Sequence, residues 1–263
     1  MKPQVYKDPR PAEYFDRFYE RAQRRRPDWI YDLVRLILTP VMLLVYRTRA
    51  IDTDKVPSHG AAIIAPNHFS FLDHFFVAVY LRRKVQFMAK SQLFARPMQF
   101  IYTHGGVFPV RRGQRDEKSF QTAHKVLERG DIVLMYLEGG RSRSGRLGEA
   151  KPGVGRLALE TGAPVVPTAI VGSAKARNWR RGQFPKVTVQ YGDAIRFEPV
   201  ANPTREQAQA AANIVFTEVE KLYYGVQEGG RKRAVRASRA ARRAGRKAMD
   251  AAEAATRRPV VPR

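Results

Sequence analysis

The chain has 263 residues, a hydrophobic fraction of 44% and a formal net charge of +24. That length allows one large domain with appendages and an ample core. The lack of cysteine excludes disulfides, thiolate metal sites and a cysteine acyl-enzyme, and the charge points to anionic partners: nucleic acid, anionic lipid or phosphorylated substrates.

Residues 1–28 read as a polar, partly helical lead-in, with Arg21, Arg24, Arg25 and Arg26 clustered just before Trp29. This stretch has no apolar run and no small-residue cleavage site, so no secretory leader is expected there. The apolar stretch 29–46 follows, interrupted by Asp32, Arg35 and Pro40. It is too short and too broken for a spanning helix. Its arginine flanks and the aromatics Trp29, Tyr31 and Tyr46 suit a helix lying in a membrane interface. The alternative is a buried core helix kinked at Pro40.

From Ile51 to Tyr191 the pattern alternates. Short apolar runs fall at 61–65, 85–89, 106–110, 132–137, 164–171 and 187–191, with helical stretches at 72–83, 118–129 and 154–161 between them. Alternating strands and helices predict an α/β fold with a mixed, largely parallel sheet flanked by helices. Buried parallel strands read as continuous apolar runs, as these do. A closing amphipathic helix is expected over 204–224, with Thr204 as its cap. Beyond Gly229 the chain carries twelve Lys and Arg against only Asp250 and Glu253. Such a segment reads as a solvated, flexible tail, helical at most in part. Three segments are therefore expected: 1–49, helical and at a membrane interface; 50–228, the α/β domain; and 229–263, the basic tail.

The chemistry concentrates at strand exits. His68 and Asp73 follow the run 61–65 in Asn67-His68-Phe69-Ser70-Phe71-Leu72-Asp73. A histidine at a strand exit is well placed as a general base, and a carboxylate can fix its tautomer and stabilise its protonated form. With no Ser-Gly elbow nearby and no cysteine, such a base would activate a hydroxyl on a substrate. The same residues admit another reading, in which Ser70 to Asp73 form a helix capping box and His68 is a turn residue. Further on, Gly105-Gly106 precede a strand and Arg111-Arg112 follow it; arginines there can clamp a phosphate. Tyr136-Leu137-Glu138-Gly139-Gly140-Arg141-Ser142 follows another strand. Its glycines let backbone approach a ligand, and its cations hold an anion. Ordinary surface arginines and a plain glycine turn are the other readings of these two stretches.

Together and in order, these stretches resemble the glycerophospholipid acyltransferase family, best known for 1-acylglycerol-3-phosphate acyltransferases. The resemblance runs between residues 50 and 200. Its first block is a His and an Asp separated by four residues, here His68 and Asp73. Its second is Phe-x-x-Arg, here Phe108 to Arg111. Its third is usually Pro-Glu-Gly-Thr-Arg-Ser, here Leu137-Glu138-Gly139-Gly140-Arg141-Ser142. Its fourth is a Val-Pro-Val-rich strand, here Val165 to Ile170. Val110 stands where an acid is common, and Leu137 and Gly140 stand for the usual Pro and Thr.

The resemblance implies transfer of a fatty acyl group from acyl-CoA or acyl carrier protein to a lysophospholipid, foremost 1-acylglycerol 3-phosphate. His68 would be the base and Asp73 its partner. Arg111 and Arg141 would bind the acceptor phosphate, and Glu138 would hold an arginine or the acceptor. Gly139 and Lys151 complete the expected substrate site. Neither a metal nor a cofactor is expected, because the donor is already activated. The expected setting is peripheral or monotopic, on an anionic membrane at the cytoplasmic face, with no nucleic-acid partner. Another acceptor, such as a glycolipid or amino-acid lipid, or a non-catalytic polyanion binder, are the competing functions.

Overall fold

The computed structural model describes residues 8–111, 116–142 and 144–256. These residues build a seven-stranded sheet in the order β1-β7-β6-β2-β5-β3-β4. Its strands are β1 (Arg49–Ile51), β2 (Ala62–Pro66), β3 (Val85–Lys90), β4 (Val107–Val110), β5 (Ile132–Leu134), β6 (Val165–Val171) and β7 (Thr188–Tyr191). From β6 across to β4 every pairing is parallel, while β7 runs antiparallel to β6. The sheet is thus mixed and largely parallel, with helices on both faces, as the alternation predicts. The short edge strand β1 carries no apolar run and was not foreseen.

The continuous apolar runs have a direct cause. Ile63 and Ala65 of β2 and Val133 of β5 pack on one face, against α5 (Glu117–Glu128), α6 (Gly153–Thr161) and α7 (Arg205–Thr256). Ala62 and Ile64 of β2 and Ile132 and Leu134 of β5 pack on the other, against α3 (Asp73–Ala78), Met42 and Tyr46. With both faces covered, neither side of these strands can be polar. The approach of α6 to α7 depends on Gly155, where a Cβ would collide with the Ala208 carbonyl oxygen.

The helix expected over 72–83 stops at Ala78. The chain must turn back into β3, and the Arg83 guanidinium ties that turn to the carbonyls of Pro57 and Gly130. The run 132–137 leaves the ladder after Leu134, yet Met135 and Leu137 still donate to Ile64 and Pro66 of β2, at 2.9 and 3.1 Å. Thr204 caps α7 as expected, its hydroxyl accepting from the Gln207 amide.

The N-terminal segment divides in two. Phe15, Phe18 and Tyr19, around α1 (Asp16–Arg24), are buried against Phe94 and Val107. This part is core rather than a lead-in. By contrast α2 (Trp29–Pro40) and the π-helical turn after it, Val41–Val45, bury only Ile30, Tyr31 and Met42 and expose Trp29, Leu33, Leu36, Ile37, Leu43 and Leu44. Among the described residues no helix is long and apolar enough to cross a membrane.

The basic tail departs from expectation. Helix α7 bends at Gly230, whose φ is 75°, and then continues to Thr256; residues 257–263 lie outside the described part. Beyond the bend, Arg231 donates to the carbonyls of Arg47 and Val187 and to the Thr188 hydroxyl. Ser238 and Arg242 both reach the buried carboxylate of Asp52. Alanine and arginine are strong helix formers, and Asp52 supplies a buried anion for them to pair with, so the segment is helical and pinned along the sheet edge at its start.

Candidate active site

Strand β2 delivers His68 to the carboxyl end of the sheet, where ligands of open α/β folds bind. Asn67 first staples the strand exit to β6. Its side chain donates to the Ile170 carbonyl at 3.0 Å and accepts from the Ile170 amide at 2.7 Å. His68 Nδ1 then lies 2.9 Å from Asp73 Oδ2. The same carboxylate oxygen accepts the amides of Phe69 and Ser70, at 2.7 and 2.8 Å. The two sequence readings of Asp73 are therefore one arrangement. It closes the turn at the start of α3, as a capping acid does, and it holds the imidazole. Donation from Nδ1–H to Asp73 makes Nε2 the unprotonated nitrogen of the neutral ring, the atom that can take a proton.

The loop after β5 grips His68 from both sides of its peptide. Glu138 accepts the His68 amide at 2.9 Å and the Gly148 amide at 3.1 Å. The Ser142 amide donates to the His68 carbonyl at 2.8 Å. The Glu138 carboxylate thus engages backbone donors that fix the base, one on each oxygen. Burial raises its pKa to about 6, against the pull of those two amides.

Two residues next to His68 escaped the sequence reading. The Tyr136 ring stacks on the imidazole, with centroids 3.6 Å apart and planes inclined by 12°. His74, the residue after Asp73, sits against Phe75 and Phe87, and its pKa is lowered to about 3 by burial and by the neighbouring His68. Both stand beside residues the sequence does single out, Tyr136 two positions before Glu138 and His74 directly after Asp73, and that adjacency is the signal that could have found them.

His68, Tyr136 and Arg141 line a cavity of about 850 Å3. It runs between α2, α3 and α4 (Met98–His104), lined by apolar residues such as Leu38, Phe75, Met88 and Ile101. Its volume and its mainly apolar lining suit an aliphatic chain. Among the described residues no cluster of three or more His, Asp or Glu is arranged to hold a metal.

The acyltransferase family model matches residues 47–171. Over these residues, just under half of its length, the chain is similar to the glycerophospholipid acyltransferases. A chloroplastic 1-acyl-sn-glycerol-3-phosphate acyltransferase of Brassica napus is 31% identical over 136 residues, covering 49% of this chain and 39% of its own. The 1-acyl-sn-glycerol-3-phosphate acyltransferase beta of Homo sapiens is 31% identical over 151 residues, covering 55% of this chain and 54% of its own. A probable 1-acyl-sn-glycerol-3-phosphate acyltransferase of Mycoplasma pneumoniae is 26% identical, covering 74% and 76%. The chain thus spans about two fifths of the length of the plant relatives matched first. The crystal structure of the 1-acyl-sn-glycerophosphate acyltransferase PlsC from Thermotoga maritima superimposes with a TM-score of 0.54 at 20% identity, covering 80% of this chain and 88% of that one. It supports the fold.

The departures from the acyltransferase blocks have local explanations. Leu137, at the usual proline position, is fully buried in the core and donates its amide to Pro66, a bond proline cannot make. Arg111 follows Val110, and the acid near it comes later in the chain: Asp116 accepts the Arg111 amide at 2.7 Å. The Arg111 guanidinium lies 5.9 Å from the Phe15 ring centroid, and the residue does not line the cavity. Of the two expected phosphate ligands, only Arg141 shares the cavity with His68. Gly139, with φ of 61°, turns the loop against the Lys151 side chain, and Lys151 points outward toward Glu149 at 3.6 Å. Arg112 and Arg143, next to the two motif arginines, lie outside the described residues.

Proposed function

We propose that this protein is an O-acyltransferase that moves a fatty acyl group from a thioester, on coenzyme A or acyl carrier protein, to the hydroxyl of a lysophospholipid, 1-acylglycerol 3-phosphate foremost. The observation that carries the reading is the His68–Asp73 hydrogen bond, with His68 lining a mainly apolar cavity. His68 Nε2 takes the acceptor's hydroxyl proton, and Asp73 stabilises the imidazolium that forms. The oxygen attacks the thioester carbonyl carbon, the C–S bond breaks, and the leaving sulfur takes the proton back from His68. An ester and a free thiol result. The acyl chain occupies the cavity, and Arg141, which lines it together with His68, holds the acceptor phosphate.

The exposed apolar face of α2 supports a peripheral seat on the membrane, where both acyl chains reside. Leu36 is 70% and Leu44 76% exposed, on a segment with arginines at both ends. The net charge of +24 favours an anionic surface and a phosphorylated acceptor.

The test is a transfer assay with labelled palmitoyl-CoA and labelled palmitoyl carrier protein across a panel of lysophospholipids, a lysoglycolipid and an amino-acid lipid. Labelled phosphatidic acid as the dominant product supports the reading. A different dominant product moves the acceptor assignment, and no labelled lipid from either donor rejects acyl transfer.

A further inference from the structure

Tyr136 is the residue in closest ring contact with the proposed base, and nothing in the reaction sequence above uses it. Its ring lies parallel to the imidazole at 3.6 Å, in contact across the ring faces rather than edge to face. Its hydroxyl is buried and has no hydrogen-bond partner among the described residues. The ring therefore is not held in place by its polar end; it is held by packing, and it lines the same cavity as His68 and Arg141. Burial, with Asp73 nearby, keeps the phenol far from ionisation, so the imidazole faces a neutral π surface.

We propose that Tyr136 is a positioning residue that acts through His68: its ring fixes the plane of the imidazole, and its electron-rich face stabilises the imidazolium formed when His68 takes the acceptor's proton. This rests on the acyl-transfer reading. An aromatic face attracts a cation laid against it, and the attraction grows where water is excluded. His68 is neutral before proton transfer and cationic during it, so the contact strengthens as the reaction proceeds and favours the transition state over the ground state. Among the described residues, the charged or titratable groups near His68 include Asp73 and His74 from α3, and Glu138 and Arg141 from the loop after β5. His74 is held neutral, and Glu138 is engaged with backbone amides. The Asp73 contact runs in the plane of the imidazole through Nδ1, whereas Tyr136 covers its face, so the two act independently.

The test separates the ring's charge distribution from its shape. Tyr136→Phe keeps the ring and removes only the unpartnered hydroxyl. Replacement of Tyr136 by pentafluorophenylalanine keeps the ring shape but reverses the sign of its face. The His68 imidazole is followed by NMR titration of the full-length protein in detergent micelles, assigned by the signal lost in His68→Gln. Wild type and Tyr136→Phe are expected to titrate together. The fluorinated variant should titrate lower by about 0.5–1.5 pH units, and its kcat should fall by about threefold to thirtyfold with the acceptor KM little changed. Thermal melts within a few degrees of wild type establish that all three remain folded. A fluorinated variant that titrates and turns over like Tyr136→Phe overturns the proposal, as does a Tyr136→Phe variant already shifted. Absence of acyl transfer by wild type rejects the underlying function instead, and the titration still reports on the ring contact by itself.

Discussion

A single carboxylate oxygen, Asp73 Oδ2, accepts from the imidazole and from two backbone amides. Its roles in the turn and in the proposed chemistry therefore separate only by choice of variant. Asp73→Ala strands three donors in a buried site and should lower stability by roughly 2–5 kcal/mol. Asp73→Asn retains an acceptor oxygen but loses the charge that favours the imidazolium. It should melt nearer to wild type yet lose about a hundredfold to ten-thousandfold in kcat. Activity retained in Asp73→Asn would make the residue a cap alone. Glu138 gives a pH signature. Its folded pKa of about 6 lies above the ordinary carboxylate value of 4.5. Between those two values the native state binds more protons than the unfolded chain, so stability declines as pH rises through this window and levels off above it. Glu138→Gln keeps an acceptor for the His68 amide without a buried charge. Its thermal midpoint should be flatter across that window and at least equal to wild type at pH 8; a wild-type midpoint that rises from pH 4.5 to 6 would contradict this. The arginines make a third residue-scale prediction. Arg141→Ala should raise the acceptor KM more than the donor KM, and more than Arg111→Ala does, because Arg141 alone of the pair lines the cavity. Equal effects of the two substitutions would return Arg111 to the phosphate site.

At the scale of elements, the legible parts were those whose pattern is set locally. Strands β2, β5 and β6 are covered on both faces, so nearly every position had to be apolar, and their runs stand out. Helices α5 and α6 were placed within a residue or two for the corresponding reason, each having one buried stripe. Strand β1 escaped because three residues on a sheet edge hold no period, and α4 because it buries none of its residues fully. The tail was misjudged because its helix is anchored by Asp52, a residue far away in sequence whose burial no local pattern reveals. The same limit applied at the site. The His68–Asp73 spacing lies within one turn and was visible. That Tyr136 covers the imidazole and Glu138 takes the His68 amide depends on β5 lying beside β2, which only the assembled sheet determines. The apolar segment of α2 yields its own prediction. Leu36, Ile37, Leu43 and Leu44 are all exposed, so polar replacements spare the core. Burying one such side chain contributes about 1.5–3 kcal/mol. Replacing the four with Gln should leave the melting temperature nearly unchanged and release the protein from anionic vesicles in a flotation assay, even at low salt. Continued flotation of this variant, with full release of wild type by high salt, would assign membrane contact to the basic surface instead.

For the molecule as a whole, the fold places each group by a short chain of causes. Parallel strands bring His68, Glu138 and Arg111 to the carboxyl end of the sheet, and His68 lines a mainly apolar cavity together with residues of the helices on one face. The family match over residues 47–171 contains every residue proposed for the chemistry. The central claim is that His68 is the base that carries acyl transfer to a lysophospholipid. The most direct measurement is the initial rate of labelled phosphatidic acid formation from labelled acyl thioester and 1-acylglycerol 3-phosphate, by wild type and by His68→Ala of matched thermal stability. The account predicts product from wild type and a rate lower by about a hundredfold to ten-thousandfold in the variant. Near-equal rates from the two proteins, or no labelled product from wild type with either donor, would contradict it.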